Sequence, residues 1–151
     1  MKTLTVTTHN TAETHAFGAK LGASASGGMV FLLSGDLGAG KTTLTQGIAK
    51  GLGITRVVTS PTFTIQKLYR GGRLVLNHID AYRLEGISQD LGFDEYMYDE
   101  GLTVIEWPQF APDLIPEEYL SISIRLLEEE NRRFELEAHG PSYEALLEEI
   151  A

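Results

Sequence analysis

Apolar and polar residues alternate from Lys2 to Thr7, where Leu4 and Val6 stand between threonines; this is the period of a half-buried strand. The spacing then lengthens. Ala12, Ala16, Leu21 and Ala25 mark the apolar face of a helix that runs to about Ala25 and is capped by Asn10 or Thr11. Gly27 and Gly28 interrupt the pattern, and Met29 to Leu33 is continuously apolar, as a strand covered on both faces must be. A glycine-rich loop spans Gly35 to Gly40, and Lys41 to Leu52 reads as a second helix ended by Gly51 and Gly53. Val57–Val58 and Phe63 to Tyr69 are strand-like, and Gly71–Gly72 turns the chain into a strand from Arg73 to Ile79. The polar, acidic stretch from Gly86 to Gly101 predicts two short helices, and Leu102 to Ile105 predicts another buried strand. Tyr119 to Leu127 and Phe134 to Ala138 flank a turn at Glu128 to Asn131, and Ser142 caps a terminal helix that reaches Ile150. Strands alternate with helices early and hairpins follow late. That order predicts a single α/β domain over residues 1–151: a three-layer, P-loop-NTPase-like sandwich with helices on both faces of a mixed, mostly parallel central sheet, plus a late β-hairpin.

Composition narrows the function classes. The chain has 151 residues, 42 % of them hydrophobic and 22 % charged, which suits one globular domain with a real core. No apolar run approaches the roughly 18 residues of a membrane helix, and the first ten residues lack a secretory apolar region. A cytoplasmic protein without membrane attachment is expected. Cysteine is absent, so neither a disulfide framework nor a thiolate metal site exists. The net charge is −9, and from Glu117 onward ten acidic residues face three basic ones. An acidic surface repels nucleic-acid phosphates, so no strong direct nucleic-acid binding is expected. The acidic end serves as a solvated face or as a docking surface for a basic partner.

The loop holds the first chemistry. Gly35-x4-Gly40-Lys41-Thr42, between a strand and a helix, matches the phosphate-binding P-loop. Glycines let backbone N–H groups turn toward phosphate oxygens, and the following helix adds the positive end of its dipole. Lys41 can bridge the β- and γ-phosphates, and the Thr42 hydroxyl can ligate Mg²⁺. A nucleotide site also needs a second metal anchor and a group that positions the attacking oxygen. Leu74 to Asp80 is a mostly apolar strand ending in a carboxylate, the Walker B arrangement. Leu102 to Glu106 repeats it, and Glu106 can orient water, accept its proton or help hold the metal. Trp107 stacks on a base or packs in the core. Ser60-Pro61-Thr62-Phe63 is either an ordinary turn or a switch-like loop that senses the γ-phosphate. His78 reads as structural, and Arg83 either stabilises phosphate charge or pairs with an acid. Asn77-His78-Ile79-Asp80 lacks the lysine of the guanine-reading Asn-Lys-x-Asp motif and lies where the Walker B strand belongs, which favours ATP over GTP.

GDLGAGKTT, SPTF, HIDAYR and VIEWP occur here in the order found in the TsaE family of small bacterial P-loop ATPases, also called YjeE, and the sequence resembles that family over nearly its whole length. The resemblance implies a role in making threonylcarbamoyladenosine in tRNAs that read codons starting with A. It implies partners, TsaD and TsaB, and a slow, Mg²⁺-dependent ATPase whose turnover rises in their assembly. It implies that Gly38, Ala39, Gly40, Lys41, Thr42 and Thr43 hold the phosphates, with Lys41 central. Thr42 and Glu106 would ligate Mg²⁺ with Asp80 behind them, and Thr62 would lie in the switch-like loop. Thr11, and Arg132 or Arg133, would lie near the nucleoside. Two other readings use the same loop: a small-molecule kinase, and a nucleotide-gated binding module with little hydrolysis.

Overall fold

A computed structural model describes residues 2–35, 40–55, 57–59, 66–84 and 101–151, without the side chains of residues 83 and 84. Seven strands form one sheet: β1 (Lys2–Thr8), β2 (Val30–Ser34), β3 (Gln66–Tyr69), β4 (Leu76–Asp80), β5 (Leu102–Glu106), β6 (Tyr119–Leu126) and β7 (Arg132–His139). Their order across the sheet is β1-β7-β6-β2-β5-β4-β3. β6, β2, β5 and β4 pair in parallel, whereas β7 is antiparallel to both β1 and β6, and β3 is antiparallel to β4. Five strands therefore point one way and two the other, the mixed, mostly parallel sheet expected of an α/β chain.

Three helices, α1 (Thr11–Ser24), α2 (Lys41–Gly51) and α3 (Pro141–Ile150), cover one face. There Phe31, Leu33, Val104, Ile122 and Phe134 of the strands meet Leu21, Leu44, Ile48 and Leu147 of the helices. Val30, Leu32, Ile79 and Ile105 point to the other face and pack with Ala81 and Ala111. Among the described residues that second layer is built of 3₁₀ turns, at Ala81–Leu84, Pro108–Phe110 and Pro112–Leu114, not of α-helices. The two helices expected between Gly86 and Gly101 lie outside the described residues, apart from Gly101 itself.

The contact between α1 and α2 departs from the alanine pattern. Ala12 and Ala16 are exposed, and the buried positions are Thr14, Phe17, Gly18, Leu21 and Gly22. The reason is that the two helices meet backbone to backbone through Gly18 and Gly22 of α1 and Gly47 and Gly51 of α2. A Cβ on Gly18 would stand 2.6 Å from the Leu44 carbonyl oxygen, and one on Gly47 2.6 Å from that of His15. Gly51 is the last residue of α2 and also packs against α1, where a Cβ would stand 2.2 Å from the Ala19 carbonyl oxygen. Asn10 caps α1 by accepting the Glu13 N–H at 2.8 Å. At the other end Arg73 Nη2 donates to the carbonyls of Gly22, Ala23 and Ala25 at 2.7, 3.2 and 2.8 Å, satisfying acceptors that the helix end leaves open. With Arg73 committed to that cap, β4 begins at Leu76 and not at residue 73. Val57–Val58 forms no strand, and α3 starts at Pro141 behind Gly140, so Ser142 is not its cap. Proline fits that first position because its fixed φ is helical and its missing N–H is not needed there.

Candidate functional site

The parallel strands deliver their C-terminal ends to one edge of the sheet. β2 ends at Ser34, and α2 starts at Lys41 behind Gly40. Gly40 adopts φ +113°, and a Cβ there would lie 2.5 Å from Arg132 Nε and 2.8 Å from its Cδ. The left-handed backbone demands glycine, and a side chain there would also displace Arg132. The Leu44 N–H closes the first turn on the Gly40 carbonyl at 2.9 Å, which leaves the N–H groups of Lys41, Thr42 and Thr43 directed beyond the start of the helix. Lys41 is buried; its Nζ donates to the Gly35 carbonyl at 2.6 Å and stands 4.5 Å above the centre of the Trp107 ring. Thr42 and Thr43 are half-buried at the same helix end. Gly38 and Ala39 lie outside the described residues.

β4 and β5 place the carboxylates. Asp80 and Glu106 are direct cross-strand partners at the strand ends, next to Leu33 at the end of β2. Glu106 is 4 % exposed, and its Oε2 meets Nε2 of the fully buried His78 at 2.5 Å. His78 and Asp80 share a face because strand side chains repeat every second residue, and the diagonal neighbour across the ladder brings His78 onto Glu106. Asp80 is half-buried and accepts the Tyr82 N–H at 3.0 Å. Burial holds its carboxyl above the usual aspartate range; the Tyr82 N–H opposes that shift and the charge of Glu106 reinforces it.

Trp107 follows Glu106 with φ 57°, and its N–H reaches the Leu33 carbonyl at 3.3 Å. The ring is half-buried, edge-on to Tyr82 at 5.2 Å and stacked on Phe110 at 6.0 Å. Its environment is thus an aromatic cluster under the Lys41 ammonium. β7 runs against its neighbours, so its first residue, Arg132, arrives at the same edge beside Gly40. Arg133 alternates to the opposite face, away from Gly40. Thr11 opens α1 just after β1 ends at this edge and is exposed. Thr62 and its SPTF loop lie outside the described residues, as does the side chain of Arg83.

The structure thus gathers Thr11, Gly40, Lys41, Thr42, Thr43, Asp80, Glu106, Trp107 and Arg132 at one sheet edge and turns Arg133 away. Sequence reasoning missed the contact of His78 with Glu106. The signal was present, since His78 precedes Asp80 by two residues and therefore shares its face. The oxygens of Thr42, Asp80 and Glu106 are hard donors of the kind Mg²⁺ takes, beside a loop whose Gly40 admits no side chain, so the donor set fits a magnesium–phosphate group. Among the described residues no cluster of three or more His, Cys, Asp or Glu forms an all-protein metal cage. A site completed by phosphate oxygens has no need of one.

Comparison with known proteins agrees with the geometry. The family described as "Threonylcarbamoyl adenosine biosynthesis protein TsaE" matches residues 8–134. The Bacillus subtilis tRNA threonylcarbamoyladenosine biosynthesis protein TsaE is 47 % identical over 151 residues, covering 100 % of this chain and 96 % of that protein. The Treponema pallidum protein of the same name is 42 % identical over 122 residues, 80 % of this chain and 90 % of that one. The crystal structure of Bacillus subtilis YdiB superposes with a TM-score of 0.87 at 42 % identity, over 99 % of this chain and 94 % of that one.

Proposed function

The chain belongs to the TsaE family of threonylcarbamoyl adenosine biosynthesis proteins, and on that premise we propose that it is a Mg²⁺-dependent ATPase that serves the modification of tRNA through TsaD and TsaB. The observation that supports this reading best is the meeting, at one sheet edge, of a P-loop helix start with two carboxylates in register on neighbouring strands. Lys41 and the N–H groups at the start of α2 bind the phosphates of ATP. Thr42, with Asp80 and Glu106, would hold Mg²⁺, which would supply positive charge against the phosphates. Glu106 orients the attacking water and accepts its proton, and Trp107 fixes the height of the Lys41 ammonium through the cation–π contact. Thr62 senses the γ-phosphate. Gly38, Ala39 and Thr43 complete the phosphate cradle, and Thr11 and Arg132 border the nucleotide. The products are ADP and phosphate.

The acidic character of the chain, −9 overall, suits a protein that meets tRNA through partner proteins and not directly. Among the described residues no helix is long and apolar enough to cross a membrane, in keeping with work in the cytoplasm. A kinase would need arginines closing over the phosphates. Arg73 is instead committed to capping α1, and Arg133 faces away from the loop.

The test is ATP turnover by the purified protein, alone and with TsaB and TsaD, with Lys41→Ala as control. Slow turnover that rises with the partners and disappears in the variant is expected. Turnover indifferent to the partners would overturn the accessory role and point to phosphate transfer onto a small acceptor.

A further inference from the structure

The pair formed by His78 and Glu106 goes beyond what the P-loop requires. Both side chains are buried, at 0 % and 4 % exposure, beside Val104 and Leu33 of the neighbouring strands. A buried carboxylate is costly unless it is hydrogen-bonded, and among the described residues His78 is the side chain seen bonded to Glu106. The other ring nitrogen, Nδ1, is buried and has no hydrogen-bond partner among the described residues.

The contact itself places the hydrogen. A carboxylate oxygen only accepts, so Nε2 carries the hydrogen that Oε2 of Glu106 receives; a bare Nε2 would set two acceptors against each other.

We propose that His78 is a positioning residue: its Nε2–H fixes Oε2 of Glu106, so that the carboxylate presents its other oxygen toward the start of α2. Glu106 sits last on β5, one residue before the left-handed turn at Trp107. A carboxylate tethered by one oxygen has a single available oxygen with a fixed bearing. A group that must aim at water or metal needs that constraint, and partners of this kind are worth about 10–100-fold in activity or metal affinity. The inference rests on the ATPase reading above, and its test separates the two.

Three substitutions probe it. His78→Leu removes the donor while filling the space. His78→Gln places an amide N–H near the position of Nε2, and His78→Asn is too short to reach Glu106. Expected are a kcat about 10–100-fold lower in His78→Leu and His78→Asn, an ATP affinity within about threefold of wild type, and recovery of most of the loss in His78→Gln. A packing role predicts instead losses that follow the folded fraction measured by circular dichroism, with Gln no better than Asn. If the Leu variant does not fold, the comparison of Gln with Asn decides. ¹⁵N-histidine NMR of the wild-type protein adds a readout independent of turnover: a hydrogen on Nε2 of His78 supports the proposal, and an Nε2 without one overturns it. Lys41-dependent turnover untouched by His78→Leu overturns this inference alone. Turnover that survives Lys41→Ala overturns the ATPase reading and this inference with it.

Discussion

Gly47→Ala sets two effects of opposite sign against each other. Alanine in place of glycine inside a helix gains about 1 kcal/mol from propensity alone. At Gly47 the new Cβ would stand 2.6 Å from the His15 carbonyl oxygen, 2.9 Å from His15 Cα and 3.1 Å from Gly18 Cα, where ordinary contact begins at 3.4 Å. All three neighbours are backbone atoms, so no side chain can rotate aside. The helices must part by about 0.8 Å, and that opens the layer in which Leu21, Leu44 and Ile48 pack. Overpacking costs about 1–3 kcal/mol, and a rigid backbone on both sides places this site at the upper end. The net expectation is a loss of about 2 kcal/mol, or about 4–8 °C in Tm for a chain of this size. Urea unfolding followed by circular dichroism measures it. An unchanged or raised stability would show that α1 and α2 are not held at backbone contact, and the account of how α2 is placed would fall.

Three further outcomes follow from the same geometry. Arg73→Met leaves the carbonyls of Gly22, Ala23 and Ala25 without their donor, and should cost about 1–3 kcal/mol in urea unfolding; a loss below about 0.5 kcal/mol would refute the capping role. Gly40→Ala puts a side chain at φ +113° against Arg132, and should raise the ATP dissociation constant about tenfold by isothermal titration; wild-type affinity would contradict the cradle. Burial raises the folded-state pKa of Asp80, so the folded protein holds this proton to higher pH than the unfolded chain does, and the charged carboxylate opposes folding above that window. Asp80→Asn, without nucleotide and in EDTA, should therefore melt higher than wild type at pH 7. The gap should close as pH falls toward the unfolded aspartate value of about 3.9, while ATP turnover is lost. Equal melting at pH 7 would refute the burial penalty.

Elements with a side-chain signature were legible before the fold was known. The apolar runs of β2 and β5, the alternation of β1 and the glycine loop ahead of Lys41 each carry their structure in residue type. The face of α1 was misread because its buried contact is made by Gly18 and Gly22, which leave no hydrophobic trace, so the alanines supplied a false period. The start of β4 was placed at Arg73 because residues 73–79 look uniform; only the three-dimensional neighbour, the end of α1, shows why Arg73 belongs elsewhere. His78 looked structural because a histidine within a strand names no partner. Its partner is 28 residues away on an adjacent strand, and register brings the two together.

Strand direction explains the rest of the site. A P-loop reading follows parallel strands and collects what their C-terminal ends deliver: the loop after β2, Asp80 after β4 and Glu106 after β5. It cannot find a residue that begins a strand, because such a residue normally lies at the far end of the sheet. β7 inverts the rule. It is the return arm of the late hairpin, antiparallel to β6 and to β1, so Arg132 at its start pairs with Thr8 at the end of β1 and meets the edge where the other strands finish. One hairpin therefore brings a guanidinium against Gly40, and the two-residue period assigns that position to Arg132 while sending Arg133 to the other face. The same edge strand, β1, leads directly into α1, whose Gly18 and Gly22 set the height of α2 and with it Lys41. Arg132 and the start of α2 are thus joined through one run of contacts, β7 to β1, β1 to α1 and α1 to α2. A disturbance at the helix contact should reach Lys41 before it reaches Asp80 or Glu106, whose placement depends on the β2–β5–β4 ladder instead.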